Sequence, residues 1–292
     1  MEFSTALFLN AIIAGLLLGG FYAAVSVGIS ISFGMLDVVN IAHPGFIILG
    51  SYIAYIVNST FGIDPIVTAL ALSPLFFLLG MGLYRVYYLC FEKRGQESLR
   101  GLAFFFGILF ITEVALILIF GVDYRTVQTA YSNLPPLKLG DVDFPFRLLV
   151  PFLVSMAMVI GIQLFLTHTF FGRAVLAVAQ DPLALRLMGV NPVRIKELAF
   201  ALSIATAGVA GAFLIVIQPV EPSIGREYIG LVFAVCVLGG MGSIWGTLLG
   251  AFVLGLAESF TSTFFGPSWA PAVSFGLLLL ALAFRPAGLL GR

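Results

Sequence analysis

Nine apolar stretches, at roughly 6–33, 44–60, 64–88, 101–121, 147–168, 196–217, 228–241, 244–264 and 269–284, leave this chain few folds to choose from. Most run for about 20 residues without the period-two alternation of a barrel strand, which is the length an α-helix needs to cross the hydrocarbon layer. With no water at that depth, backbone polar groups must be satisfied internally, so helices are the form such stretches take. The composition agrees: 61% hydrophobic and 10% charged residues exceed what a soluble core can absorb. The expected fold is an all-α polytopic membrane protein of about nine (eight to ten) transmembrane helices, one domain over residues 1–292. The 228–241 stretch is short enough to be re-entrant. The 33–44 stretch, FGMLDVVNIAHP, breaks what would otherwise be one long apolar region.

Lys and Arg near the span ends set the orientation. Arg85, Lys93, Arg94 and Arg100 share one connection, Arg173, Arg186, Arg194 and Lys196 another, and Arg285 and Arg292 the tail. Ten of the fourteen basic residues thus fall on one side, expected to be cytoplasmic. The other side holds Arg125, Lys138, Arg147 and Arg226 with a surplus of acids, Asp64, Asp123, Asp141, Asp143, Glu221 and Glu227. The first stretch, Ala6 to Phe33, is too long for a signal-peptide core and is preceded by Glu2 with no Lys or Arg. It is expected to be a retained span with its N-terminus outside, which puts the C-terminus inside after nine crossings. On the acidic side, Gly121 to Pro145 and Gln218 to Glu227 would meet an extracytoplasmic partner or simply be solvated loops.

The longest polar connection runs from Phe170 to Phe200. Asp181-Pro182 reads as an N-cap followed by proline at the first helical position, Pro182 to Met188 as a short helix, and Gly189 as its left-handed end. Asn191-Pro192 repeats the start signal. A short helix fenced by two caps fits a docking element, and it equally fits an ordinary basic loop.

Several chemistries are excluded. No Lys is followed by Ser or Thr in a glycine-rich loop, so the chain carries no P-loop; two His residues and no Gly-x-Ser-x-Gly argue against a hydrolase. No catalytic or metal-ligating set is found, and zero net charge excludes a nucleic-acid binder. Cys90 and Cys236 match no metal or redox spacing. Small residues four apart, Gly242/Gly246/Gly250, Ser203/Ala207/Gly211 and Gly15/Gly19, mark stripes where helices approach closely. Phe21–Tyr52 and Phe233–Glu258 share a span, a glycine-containing break and a second span, a faint repeat.

Carboxylates at bilayer depth are costly and mark sites by default. Glu113 fits pore lining or a buried interhelical bond. Asp37 is expected to cap a helix at the break, and Glu258 to snorkel to the outer interface. The break itself, with Asn40, His43, Pro44 and Gly45, places unwound amides where a polar headgroup such as an amino-acid carboxylate can bind. A kinked helix with a locally bonded His43 is the alternative.

Asn40-Ile41-Ala42-His43, Gly172-Arg173-Ala174 leading to Asp181 and Gly189-Val190-Asn191, Leu238-Gly239-Gly240-Met241-Gly242-Ser243 with Gly246, and Arg285-Pro286-Ala287-Gly288-Leu289-Leu290-Gly291 occur in order over nearly the whole chain. In these four motifs the chain resembles the LivH-type permease subunit of ABC importers for branched-chain and other hydrophobic amino acids. Where that family commonly follows Ala-His with Gly and an acid, this chain has Pro44, Gly45 and Phe46. The resemblance implies inward transport of such amino acids, or of a related small organic solute, across a bacterial inner membrane. It implies as partners a second, LivM-like permease, two cytoplasmic ATPase subunits of the LivG and LivF kinds carrying ATP-Mg, and a periplasmic solute-binding protein, with no cofactor on this chain. It also implies that 182–188 is a coupling helix, with Asp181, Pro182, Ala184, Leu185, Leu187, Gly189 and Asn191 as the coupling residues and Leu185 and Leu187 as contacts to the ATPase. An ion-coupled transporter using Asp37, His43 and Glu113, and a non-translocating assembly subunit, are the competing classes.

Overall fold

The computed structural model describes residues 5–95, 98–140, 142–285 and 287–291; Glu2, Asp141, Pro286 and Arg292 lie outside the described residues. The helices are α1 (Thr5–Ser32), α2 (His43–Phe61), α3 (Pro65–Cys90), α4 (Ser98–Phe120), α5 (Phe146–His168), α6 (Phe170–Gln180), α7 (Pro182–Leu187), α8 (Pro192–Ile217), α9 (Gly225–Gly239), α10 (Ile244–Phe264) and α11 (Ala270–Phe284). A two-stranded antiparallel hairpin, β1 (Leu137–Leu139) and β2 (Val142–Phe144), precedes α5. Among the described residues nine segments are long and apolar enough to span a membrane. They coincide with the nine apolar stretches to within a few residues, and the short one at 228–241 is α9, lengthened by a 3-10 turn from Pro222. The chain is an all-α polytopic membrane protein.

Local chemistry sets the helix ends. Asp64 accepts from the Ile66 amide at 2.8 Å with Pro65 at the first position of α3, and Ser243 accepts from the Gly246 amide at 3.0 Å to start α10. Helix α2 ends on Gly62 at φ +67°, a left-handed conformation in which a Cβ would be strained.

The core is built around α8 and the second half of α1, which are buried on nearly every face. Without a hydrophobic drive between helices in lipid, close backbone approach supplies the cohesion. A Cβ on Gly15 would lie 2.8 Å from the Leu256 Cα, and one on Gly255 2.6 Å from the Gly15 oxygen, so α1 and α10 meet backbone to backbone. Gly211 faces the Ile47 oxygen and Gly50 the Gly208 oxygen, which joins α2 to α8 in the same way; Gly246 and Gly250 face Gly239 between α10 and α9. All three small-residue stripes are therefore intramolecular contacts. At the other extreme, α11 buries only Ser274 among its described residues.

Two of the sequence motifs fold onto each other. The amides of Leu289 and Leu290 donate to the carbonyls of Leu238 and Gly239 at 2.8 and 2.9 Å. Gly288, at φ +77°, backs onto Gly240, so the tail is pinned across the end of α9 where neither position has room for a side chain. Gly242 in turn faces the Gly34 oxygen at the end of α1.

The ends of α1, α3, α5, α9 and α11 meet the starts of α6, α8 and α10 at one end of the bundle. That end carries Arg85, Lys93, Arg94, Arg100, Arg173, Arg186, Arg194, Lys196 and Arg285. At the opposite end, Arg125 pairs with Val220 in a β-bridge, Arg147 Nε donates to the Val216 carbonyl at 2.7 Å, and Lys138 lies 3.9 Å from Asp143. The two charge groups separated in the sequence thus occupy opposite ends.

Candidate functional site

At the basic end, α6, α7 and the start of α8 form a capped zigzag. Thr169 starts α6 by accepting from the Gly172 amide at 3.0 Å. Asp181 Oδ1 accepts from the amides of both Leu183 and Ala184 at 2.9 Å, with Pro182 in the first position of α7, where no N–H is needed. The helix closes with the Val190 amide donating to the Leu185 carbonyl at 3.2 Å and Gly189 at φ +83°. Asn191 Oδ1 accepts from the amides of Val193 and Arg194, which launches α8. A six-residue helix has too little length to hold itself, so its shape depends on these caps.

Helical spacing divides the side chains of α7 between two faces. Leu183, Leu187 and Met188 are 66%, 82% and 70% exposed, whereas Leu185 is 4% exposed and packs into its own chain. Leu185 is therefore corrected from an outward contact to an internal anchor: two residues from Leu187, about 200° around the axis, it points into the bundle. A cleft of about 750 Å³ borders this element, lined by Arg85, Glu92, Pro182, Leu183, Arg186 and Lys196 among others. Beneath it, Lys196 Nζ meets Glu92 Oε1 at 2.8 Å and the Tyr84 hydroxyl donates to Glu92 Oε2 at 2.7 Å. Arg85 and Glu197 add a looser pair at 3.7 Å. The foot of α8 is thus tied to the foot of α3. Glu92 and Lys196 are 104 positions apart and carry no local signal that would pair them.

The break between α1 and α2 turns back into the bundle. His43 Nε2 lies 3.1 Å from the Val25 carbonyl, seven residues short of the end of α1, so α2 starts below that end. A carbonyl can only accept, so Nε2 carries the proton. His43 Nδ1 and both amide atoms of Asn40 are buried without a hydrogen-bond partner among the described residues. Asn40, His43, Pro44 and Gly45 are all buried, and none of them lines the cleft beside α7. Asp37, exposed at φ +56°, does not cap α2, whose first turn is preceded by Ala42. Its place is at the other side of the break, where the Val38 amide donates to the Ser32 carbonyl at 2.9 Å and Asp37 is the left-handed residue that closes the end of α1. The chain needs a left-handed residue to turn inward, and Asp is among the few side chains that tolerate it.

Glu113 is buried on α4 and pairs with Arg226 at the start of α9, Nη2 to Oε1 at 2.9 Å. The pair sits beside the start of α2: a Cβ on Gly45 would lie 3.0 Å from Leu109 and 3.8 Å from Thr112, and one on Gly225 3.6 Å from the Pro44 oxygen. The structure thus gathers Pro44, Gly45 and Glu113 and adds Arg226, which the sequence placed in an outside loop, partner-facing or solvated. The bury-or-expose ambiguity of a lone Arg after QPVEPSIG hid it.

Glu258 is also corrected. It does not reach an interface: it is 6% exposed, Oε2 accepts from the Tyr22 hydroxyl at 2.5 Å, and Oε1 accepts from the Ser274 hydroxyl. With both oxygens satisfied the carboxyl ties α1, α10 and α11 together instead of seeking water.

The family described as branched-chain amino acid transport system, permease component, matches residues 11–282. The chain is 31% identical to the high-affinity branched-chain amino acid transport system permease protein BraD of Pseudomonas aeruginosa, over 98% of this chain and 96% of that protein. It is 27% identical to the permease protein LivH of the same kind of system in Escherichia coli K12, again over 98% and 96%. To the E. coli LivM permease protein it is 28% identical, over 92% of this chain and 67% of that one.

Proposed function

The chain belongs to the permease components of branched-chain amino acid transport systems, and from that membership we propose that it is one of two membrane subunits of an ABC importer for branched-chain or related hydrophobic amino acids. The observation that carries this reading is the family match across residues 11–282, which covers all or most of each of the nine spans found among the described residues. It is a transport subunit and not an enzyme. The whole chain acts as one permease domain in the bacterial inner membrane, with the basic end in the cytoplasm and the C-terminus there with it. A LivM-like second permease completes the membrane part, and a periplasmic binding protein delivers solute to the acidic end.

ATP and Mg are held by two separate ATPase subunits, because this sequence has no phosphate-binding loop. One ATPase receives α7 in a groove, gripping the outward side chains Leu183, Leu187 and Met188. Closure of the ATPase pair moves α7, and the rigid caps at Asp181 and Asn191 transmit that movement to α6 and α8. The Glu92–Lys196 pair extends it to α3. The bundle then rocks about a solute pathway at the interface with the second permease, bordered by the 40–45 segment and Glu113.

The test is reconstitution of the four membrane-associated subunits in liposomes with the binding protein outside. ATP-dependent accumulation of leucine, isoleucine or valine is expected. Uptake by this chain alone, abolished by an uncoupler and indifferent to ATP, would overturn the proposal in favour of an ion-coupled transporter.

A further inference from the structure

The Glu113–Arg226 pair joins two spanning segments, Leu99–Phe120 and Pro222–Gly239. Glu113 lies seven residues inside the Phe120 end of α4, about 10 Å at the rise of a helix. Its side chain is 9% exposed while that of Arg226 is 53% exposed, so a guanidinium stands half open over a buried carboxylate. Packing does not account for this. A matched apolar pair at a buried position is commonly as stable as an ion pair or more so, and a charge at bilayer depth is expensive.

The ion pair sets Nη2 of Arg226 against Oε1 of Glu113 at 2.9 Å. A guanidinium carries five N–H donors in a planar fork that matches a carboxylate, and the exposed half of Arg226 leaves part of that fork open to a polar occupant. The inward-turning start of α2 reaches the same place, with the Pro44 carbonyl against Gly225 and Gly45 against Thr112. Opposite charges side by side, one open and one recessed, complement a zwitterion.

We propose that Arg226 and Glu113 form the headgroup site for the transported solute: the solute's α-carboxylate binds the free edge of Arg226, and its ammonium group shares the Glu113 carboxylate. The assignment rests on the reading of the chain as an amino-acid permease, and it makes Arg226 and Glu113 specificity-determining residues of this subunit. A solute with both charges can enter the pair without leaving either partner bare. One lacking a charge strands the other partner.

The assembled importer in liposomes tests this through arginine-selective modification by phenylglyoxal, with the adduct at Arg226 measured by peptide mass spectrometry. Leucine, 4-methylpentanoate and leucinamide are compared at equal concentration. At about nine times its Kd, leucine is expected to slow the modification of Arg226 by roughly tenfold, since only the unoccupied tenth of the sites can react. The carboxylate-only analogue is expected to protect less and leucinamide least. In Glu113→Gln the protection by leucine is expected to fall to that of 4-methylpentanoate. Equal protection by all three solutes, no protection by leucine, or an Arg226 that never reacts overturns the assignment while leucine import by the same liposomes upholds the parent reading. Unchanged leucine protection in Glu113→Gln overturns the zwitterion pairing. Absence of ATP-driven leucine import overturns the parent reading and the assignment with it.

Discussion

Leu187→Asp separates docking from folding on α7. Leu187 is 82% exposed, and changes at such positions cost folding no more than about 0.5 kcal/mol. Seated in an ATPase groove, the same side chain would contribute about 1.5–3 kcal/mol by leaving water, and an aspartate there would forfeit all of it. Converted to affinity, that is a loss of roughly 10- to 150-fold in ATPase binding. Leu185, two residues away and 4% exposed, gives the contrast: Leu185→Ala is expected to cost the permease about 2–5 kcal/mol of its own stability. The assay pairs titration of the ATPase onto immobilised permease with thermal unfolding of the permease in detergent. Leu187→Asp should weaken binding at an unchanged melting temperature, and Leu185→Ala should lower the melting temperature. Wild-type ATPase affinity in Leu187→Asp would refute the docking of α7 by its outward face, and a melting temperature as low as that of Leu185→Ala would refute the division of α7 into two faces.

Three further perturbations follow from the geometry. Asp181→Ala removes the acceptor for the Leu183 and Ala184 amides and should cost α7 about 1 kcal/mol, read as faster hydrogen exchange at those two amides, with Asp181→Asn largely protected. Gly50→Ala places a methyl on the Gly208 oxygen and should cost about 1–3 kcal/mol by forcing α2 from α8, measured as a lower melting temperature; an unchanged one would mean the crossing is looser than described. Glu258→Leu strands the Tyr22 and Ser274 hydroxyls at about 1–3 kcal/mol each, and adding Tyr22→Phe and Ser274→Ala should restore most of that stability in the same melting assay. Failure of the triple variant to recover would place the cost in packing.

Whatever depends on solvent or on neighbours along the chain was legible before folding. Spans are legible because hydrocarbon accepts only apolar side chains on self-satisfied backbone, and the nine stretches coincide with nine helices among the described residues. The caps of α7 were legible because Asp181, Pro182, Gly189 and Asn191 act within three or four residues of themselves. The division of basic and acidic ends was legible because each connection inherits its side from the parity of the spans. Tertiary structure decided the rest, since partners far apart in sequence leave no mark on one another. Leu185 and Leu187 look alike until the bundle covers one of them; Glu258 reads as a snorkelling acid until Tyr22 and Ser274 arrive from other helices. Arg226 reads as a loop cation until α9 starts beside α4 and sets it on Glu113, because only the fold fixes how deep in the bundle a helix begins.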